Sequence, residues 1–224
     1  MEFSRQPRYV IRKDENSKPK ELMSRREAMA EQYRIIKNWK PLSDVWPLRL
    51  GRSILVAAAT ATGMYINHRF RVRMKLRSYG VFPTMIGLSV APAAFTAISH
   101  TEFILNKLVL LEISCPLCLE SRSALAQTCS GLFAPLILAP LANFSVSAGS
   151  GMYNVPYVKD IRAIFRTILS IYHPMIPKIA MLFTFHALLA SFITYSEIKS
   201  FLRMSDLQYL KEEEKKERFK NDIF

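Results

Sequence analysis

Two cysteines, Cys115 and Cys118, lie three positions apart in the segment EISCPLCLESRSA, at the start of a long apolar run. Thiols at this spacing can form a redox-active disulfide, supply half of a zinc site, or occupy a turn between buried helices. A redox pair normally opens a helix in a thioredoxin-like unit, and the sequence predicts no such unit. The neighbours Glu112 and Glu120 give no cationic help to a thiolate. We therefore favour a structural role, as a reduced turn or a static disulfide.

The other residue types that carry out chemistry form no catalytic set in the sequence. A structural zinc site needs four ligands, and no second pair accompanies the two cysteines. His186 falls inside an apolar stretch, where an ionisable side chain is a candidate functional residue, although a neutral imidazole bonded to a neighbouring helix fits equally well. No glycine-rich phosphate loop and no carboxylate within an apolar segment is found. The sequence thus predicts no catalytic residue, no metal site and no cofactor.

Charged and apolar residues are distributed as in a membrane protein. Hydrophobic residues make up 50% of the 224-residue chain, although 31 Lys and Arg stand against 18 Asp and Glu. Most charges lie in residues 1–52 and 197–224, and the middle of the chain is largely apolar. Polar ends around a segmented apolar middle are typical of a chain that crosses a bilayer. A soluble helical bundle is disfavoured, because residues 81–98 and 124–144 have no polar face.

Four segments can cross a bilayer, for which a helix needs roughly 20 residues. The predicted spans are residues 50–68, 81–99, 124–144 and 178–198, and SVSAGSGMYNVP after residue 144 indicates a flexible loop. Alanine, glycine and proline recur in the spans, and small residues let helices pack closely in lipid. We therefore predict an all-α membrane protein with four transmembrane helices. Both chain ends and the cysteines then lie on one side of the membrane.

Amphipathic helices are predicted to flank the membrane domain. One lies near residues 21–40, within a basic polar N-terminal arm of residues 1–50, and a second covers residues 159–173 within the membrane domain of residues 51–205. Helices of this kind lie flat on a membrane or dock in a partner's groove. Residues 206–224 predict a charged, solvated C-terminal helix. Basic residues occur on both sides of the predicted spans, so the orientation in the membrane stays open.

A strongly basic segment follows the first span, with a cation at every second position: Arg69, Arg71, Arg73, Lys75 and Arg77. On a soluble protein, such interleaving of basic and apolar residues suggests nucleic acid. Between two membrane spans it favours phospholipid headgroups, such as those of cardiolipin, and each cation near an anionic surface contributes about 1 kcal/mol. We therefore expect lipid phosphate as the partner of this segment and no nucleic acid.

Short motifs occur in a fixed order around the four spans. The first span is closed by Asn67, Phe70 and Arg71, the third opens with Cys115, Cys118 and Arg122, and LILAPLAN, which contains Pro140, follows within it. YSEIKSFL leaves the fourth span. In this order and spacing the motifs resemble the transmembrane protein 126 family, over roughly residues 50–207.

The resemblance implies a non-enzymatic scaffold of the mitochondrial inner membrane that assists the assembly of respiratory complex I. The expected partners are unfinished membrane-arm subunits of complex I and other complex I assembly factors. The small-residue helix faces and the amphipathic flanking helices agree with this reading. Two alternatives are kept: a small membrane transporter or channel, suggested by His186 and the prolines in the spans, and a thiol redox protein that uses the CxxC pair.

Overall fold

The computed structural model describes residues 24–113, 115–150 and 160–221. The regular structure within these ranges is helical and includes no strand, which confirms the predicted all-α class. Residues 1–23 of the predicted basic arm, residues 151–156 of the predicted loop, residue 159 of the second predicted amphipathic helix and residues 222–224 of the predicted C-terminal helix lie outside the described residues.

Four long helices form the body of the molecule, and the second and third each contain a five-residue π-helical turn. Their bounds are α2, Leu42–Arg73; α3, Val81–His100, continued by a π turn, Thr101–Leu105, into α4, Asn106–Val109; α5, Pro116–Thr128, continued by a π turn, Cys129–Phe133, into α6, Ala134–Ser150; and α8, Ile176–Asn221. Two shorter helices, α1 (Arg25–Asn38) and α7 (Ile161–Tyr172), precede the first and the fourth of them.

Three of the predicted spans lie in helices that are both long and apolar enough to cross a membrane: Val81–Val109, Pro116–Gly149 and Ile161–Lys211. The predicted first span lies in α2, which is long enough at 32 residues but is less apolar than the other three. The difference follows from its position, because α2 packs against α3, α6 and α8. A helix that is largely covered by protein can carry small and polar residues that a lipid-facing helix cannot.

Each long helix runs antiparallel to the next, so the two ends of the bundle contain different segments. One end joins α1, α2, α4, α5 and α8 in a core that includes Ile36, Leu48, Leu108, Leu119 and Phe201. The other end joins α2, α3, α6 and α7 in a core that includes Phe70, Leu76, Leu88, Ala139 and Ile171. The cysteine turn therefore lies at the same end of the bundle as α1 and the charged half of α8.

Helix α1 is held at the cysteine end of the bundle. Ser24 and Glu27 form a capping box, in which each side chain bonds to the other's backbone N–H and satisfies the free donors of the first turn. Ile36 is buried in the core, and the Tyr33 hydroxyl donates a hydrogen bond to the side-chain oxygen of Asn106 at 3.0 Å. The predicted amphipathic stripe of α1 is thus used, at least in part, to dock on the bundle itself.

The second half of the chain corrects two predicted boundaries. Helix α6 continues to Ser150, so the first part of the predicted loop after residue 144 is helical. Helix α8 runs without interruption from Ile176 to Asn221, so the charged segment from residue 206 is a continuation of the fourth span rather than a separate helix. A single 46-residue helix extends about 69 Å, which exceeds the roughly 30 Å of a bilayer's hydrocarbon core. Its charged end therefore projects beyond the membrane.

Candidate functional site

The cysteine pair opens a helix. Cys115 is the N-cap of α5, and its Sγ accepts a hydrogen bond from the backbone N–H of Cys118 at 3.3 Å. Pro116 occupies the first helical position, where an N–H would have no partner within the helix. Both sulfurs are free thiols, with Cys118 exposed and Cys115 half-buried. The pair thus has the position of a redox motif in a helix, although it belongs to a membrane bundle and not to a thioredoxin-like unit.

One of the two carboxylates near the cysteine pair has a cationic partner that the sequence does not reveal. Arg25 on α1 donates two hydrogen bonds to the carboxylate of Glu112, at 3.2 and 3.0 Å, and this pairing lowers the pKa of Glu112. Glu112 is therefore a paired anion. The pKa of the Cys115 thiol is also lowered, because the side chain and the backbone N–H of Cys118 donate hydrogen bonds to its sulfur.

The basic segment forms the end of α2 and the turn into α3. Four of its five cations are accessible: Arg73, Lys75 and Arg77 are exposed, and Arg69 is half-buried. Between them, Met74 and Leu76 are fully buried in the core. Lys75 and Arg77 have φ values of 54° and 45°, and these left-handed residues let the chain alternate inward apolar and outward basic side chains. The alternation in the sequence is thus a tight turn anchored by apolar residues.

Arg71 does not face the lipid headgroups. Its side chain is only 4% exposed, and its guanidinium donates hydrogen bonds to the carbonyl oxygens of Arg77, Tyr79 and Gly80 and to the hydroxyl of Thr84. The prediction that Arg71 binds phospholipid is therefore wrong. A guanidinium has five N–H donors in a planar fork, which suits it to collecting several carbonyls that a tight turn leaves unpaired.

Two further motif residues tie the end of α2 to α6. The side-chain oxygen of Asn67 accepts a hydrogen bond from Asn143 at 2.8 Å, and both residues are fully buried. Phe70 packs edge-on against Phe144, with ring centroids 5.8 Å apart, and against Tyr172 at 5.6 Å. Apolar and hydrogen-bonded contacts of this kind hold helices together where lipid supplies no hydrophobic drive.

His186 lies in the centre of the bundle, between α2, α5 and α8. Its Nδ1 accepts a hydrogen bond from the side-chain amide of Gln127 at 3.1 Å, because an amide nitrogen can only donate. Its Nε2 therefore carries the proton and donates to the hydroxyl of Thr62 at 2.9 Å. Gly131 faces the ring, and a Cβ there would lie 2.8 Å from Cε1 of His186. The structure thus supports a neutral imidazole bonded to neighbouring helices.

A second buried polar group, which the sequence analysis missed, joins His100 to Glu197. Nε2 of His100 lies 3.0 Å from Oε1 of Glu197, and their side chains are 4% and 0% exposed. Gly51 on α2 provides the space, since a Cβ there would lie 2.6 Å from the same carboxylate oxygen. The expectation that the spans contain no carboxylate therefore needs correction. Both residues end an apolar run, and antiparallel pairing of the helices brings those two ends together.

Smaller hydroxyl pairs fasten the remaining helix contacts. Thr96 on α3 lies 2.8 Å from Ser130 in the second π turn, and Thr194 on α8 donates to Ser123 on α5 at 2.7 Å. Interhelical hydrogen bonds in membrane proteins contribute about 0.6 kcal/mol each on average. Within the described residues, no group of three His, Cys, Asp or Glu side chains is placed to hold a metal ion. The buried polar groups described here therefore act as clasps between helices.

Large apolar side chains cover the outside of the bundle. On α3 the exposed set is Phe82, Ile86, Val90, Phe95 and Ile98, and on α8 it includes Met181, Leu188 and Phe192. An outer surface of large apolar side chains, around an interior that includes buried polar pairs, differs from the arrangement of a soluble domain. This arrangement is expected of helices that face lipid or other membrane helices.

Comparison with known proteins agrees with the motifs and the fold. A sequence model described as transmembrane protein 126 matches residues 31–211. The chain belongs to this family. It is similar to transmembrane protein 126 of Drosophila melanogaster, with 34% identity over 194 residues that cover 84% of this chain and 87% of the relative. No solved structure matches the chain. The resemblance inferred from the motif order is thereby confirmed.

The motif positions that carried the resemblance separate into two groups in the structure. One group is buried and structural, and comprises Asn67, Phe70, Arg71 and Pro140. The other lies at the accessible start of α5, and comprises Cys115, Cys118 and Arg122. The first group explains how α2 is held in place. The second group has no comparable packing role.

Proposed function

We propose that the protein is a non-enzymatic assembly factor of the mitochondrial inner membrane that binds unfinished membrane-arm subunits of respiratory complex I. Other complex I assembly factors are its further partners. Membership of the transmembrane protein 126 family supports the proposal, through the role that the family resemblance implies. The observation that carries it is the contrast between interior polar groups that bond across helices and the large apolar side chains directed outward.

The paired interior argues for adhesion between helices rather than transport. A transporter needs polar groups that are free to bind its cargo near the middle of the membrane. The ionisable side chains at the middle of this bundle bond to other helices instead: His186 to Thr62 and Gln127, and His100 to Oε1 of Glu197, whose Oε2 alone is left without a partner within the described residues. The outer faces of the membrane helices are therefore the surfaces that we propose bind the partner subunits.

The outer face of α3 is the surface that we propose for the client subunit. Ile86 and Val90 are each 59% exposed on this face, and Gly87 lies between them. A Cβ added at Gly87 would meet no atom of the chain within 4 Å. A client helix can therefore approach the backbone closely at this point. Membrane helices associate through such close packing, because lipid tails are as apolar as the side chains themselves.

The basic turn and α7 are proposed to set the depth of the bundle in the membrane. Ile161, Phe165 and Leu169 form an exposed apolar stripe along α7, at a spacing of four residues. A helix with this pattern lies in the interface with its apolar side toward the acyl chains. Beside the basic turn, a groove of about 590 Å³ is lined by residues that include Lys75 and Arg77. Cations at this level bind anionic headgroups such as those of cardiolipin.

The main experiment depletes the protein from cells and resolves complex I on native gels. Loss of mature complex I, with accumulation of membrane-arm intermediates, is the expected result. Affinity purification of the tagged protein from mild-detergent mitochondrial extracts, followed by mass spectrometry, should recover complex I membrane subunits. Normal complex I in depleted mitochondria would overturn the proposal.

A matched pair of variants tests the outer face of α3. Gly87→Leu fills the bare position, which is exposed and where a Cβ would meet no atom of the chain within 4 Å, so the fold is expected to persist while recovery of the client subunits falls. Thr184→Leu places the same leucine side chain at an exposed position of α8, and recovery is expected to stay at the wild-type level. Equal recovery with both variants would remove the α3 face from the proposal.

A further inference from the structure

We propose that Cys115 and Cys118 form a thiol–disulfide exchange site that takes an exposed external disulfide as its substrate. The inference goes beyond the assembly role, since it concerns the chemistry of two thiols in the purified chain. It also departs from the structural role that the sequence favours for the pair. Three observations carry it: the position of the thiols on their helix, their access to water, and the charges around them.

The position of Cys115 stabilises a thiolate. The first N–H groups of a helix have no partner within it, and they give its start a partial positive charge. Cys115 is the N-cap of α5, and its sulfur accepts one of these N–H groups, that of Cys118, at 3.3 Å. Thiolates at helix starts, especially in a Cys-X-X-Cys arrangement, are the reactive forms in disulfide exchange.

The pair is accessible from the aqueous side of the bundle. The continuous helix Pro116–Gly149 has 34 residues and a length of about 50 Å, whereas the hydrocarbon core is roughly 30 Å thick. Its first turns can therefore extend beyond the acyl chains. Cys118 is exposed, its chain neighbour Leu117 is 70% exposed, and Leu111, which precedes the cysteine turn, is 52% exposed. These side chains offer apolar contacts to a substrate that carries a disulfide.

Of the two carboxylates near the cysteine pair, Glu112 has its charge offset by a cation. Glu112 is paired with Arg25 across the turn, at 3.0 Å. Arg122 is exposed one turn after Cys118 on the same helix. The third thiol, Cys129, lies three turns further along, in the second π turn, and offers an internal reference.

The exchange proceeds in two balanced steps. The Cys115 thiolate attacks one sulfur of the external disulfide, so that a mixed disulfide forms and the other external sulfur leaves as a thiolate. Cys118 then loses its proton to water and attacks Sγ of Cys115, which forms the Cys115–Cys118 disulfide and releases the second external thiolate. The protein dithiol is oxidised by two electrons, the external disulfide is reduced to two thiols, and the reaction is reversible.

The test uses the full-length protein in detergent micelles, with oxidised glutathione as the probe. The chain contains three cysteines, so titratable thiols are expected to fall from three to one as the intramolecular disulfide forms. Reduced glutathione in excess should restore all three. In Cys118→Ser the second step is blocked, and a glutathione adduct on Cys115 should accumulate and be located by peptide mass spectrometry.

Serine variants also separate an exchange site from an inert turn. Iodoacetamide should modify Cys115 in Cys118→Ser at a lower pH than it modifies Cys118 in Cys115→Ser. Cys118 is exposed, and serine is a favourable N-cap residue at position 115, so the variants are expected to keep the wild-type helical circular dichroism signal. Three thiols that persist in oxidised glutathione, or an adduct that forms on Cys118 in preference to Cys115, would overturn the proposal.

Discussion

Replacement of Gly63 by alanine tests how α2 is held in the bundle. A Cβ at Gly63 would clash with the backbone carbonyl oxygen of Leu88 and would lie 3.2 Å from Cγ of Pro92. The nearest obstacle is backbone and cannot rotate away, so α2 and α3 would have to separate by on the order of 1 Å. A gap of this size forfeits roughly a quarter to a half of the dispersion attraction between the facing atoms.

The expected magnitude follows from two opposing terms. Overpacking a tight contact costs about 1–3 kcal/mol, whereas exchanging glycine for alanine within a helix gains about 0.5–1 kcal/mol. Gly63→Ala is therefore expected to lose about 1–2 kcal/mol of unfolding free energy. Gly87→Ala, on α3, is the matched control. A Cβ at Gly87 would meet no atom of the chain within 4 Å, so only the gain from exchanging glycine for alanine applies.

The assay is unfolding of both purified variants and the wild type in the same detergent, followed by loss of the helical circular dichroism signal. Gly63→Ala should unfold first, the wild type next and Gly87→Ala last. A difference of about 2 kcal/mol between the two variants changes their folded populations by roughly thirtyfold. If Gly63→Ala unfolds as late as Gly87→Ala, the close approach of α2 and α3 is not as the structure has it.

Three further predictions concern the polar contacts. Glu197→Ala should lose about 1–3 kcal/mol because it leaves His100 unpaired in the bundle, while Glu197→Gln should lose less, and equal losses in detergent unfolding would contradict the clasp. Arg71→Lys should destabilise the turn that Arg71 closes, since an ammonium cannot reach the same carbonyls, and faster amide hydrogen exchange at residues 76–80 is the readout. The pairing with Arg25 lowers the pKa of Glu112, so its stabilisation of α1 is present above pH 4.5 and is lost as the pH falls through the lowered value. Hydrogen exchange in α1 should show this loss, and Arg25→Gln should reduce the pH dependence to the part that comes from Glu27, whose pKa is lowered by its capping-box hydrogen bonds with Ser24.

Much of the architecture could be predicted because bilayer thickness imposes a length on each apolar segment. The segments at 81–99, 124–144 and 178–198 all fall within long helices. The amphipathic pattern before the fourth span likewise predicts α7, which is helical from Ile161 to Tyr172. Helix ends were predicted less well, because polar residues such as those after residue 144 can extend a helix beyond the membrane as readily as they end it.

The buried polar pairs were harder to predict, since each depends on two residues that are far apart in the chain. His186 could be singled out because an imidazole within an apolar segment is unusual, but its partners Thr62 and Gln127 are ordinary residues on other helices. Arg71 looks like its neighbours in the basic segment, and only the path of the turn reveals that its guanidinium points inward.

The sequence by itself determined that the chain is helical, apolar in its middle and a member of the transmembrane protein 126 family, because these properties depend on local composition, periodicity and motif order. The tertiary structure decided which polar side chains meet, because pairing across helices depends on their rotation and depth. It brought Glu197 to His100 and placed Arg25 on Glu112 beside the cysteines. Those two contacts depend on antiparallel packing and helix docking, which no local segment encodes.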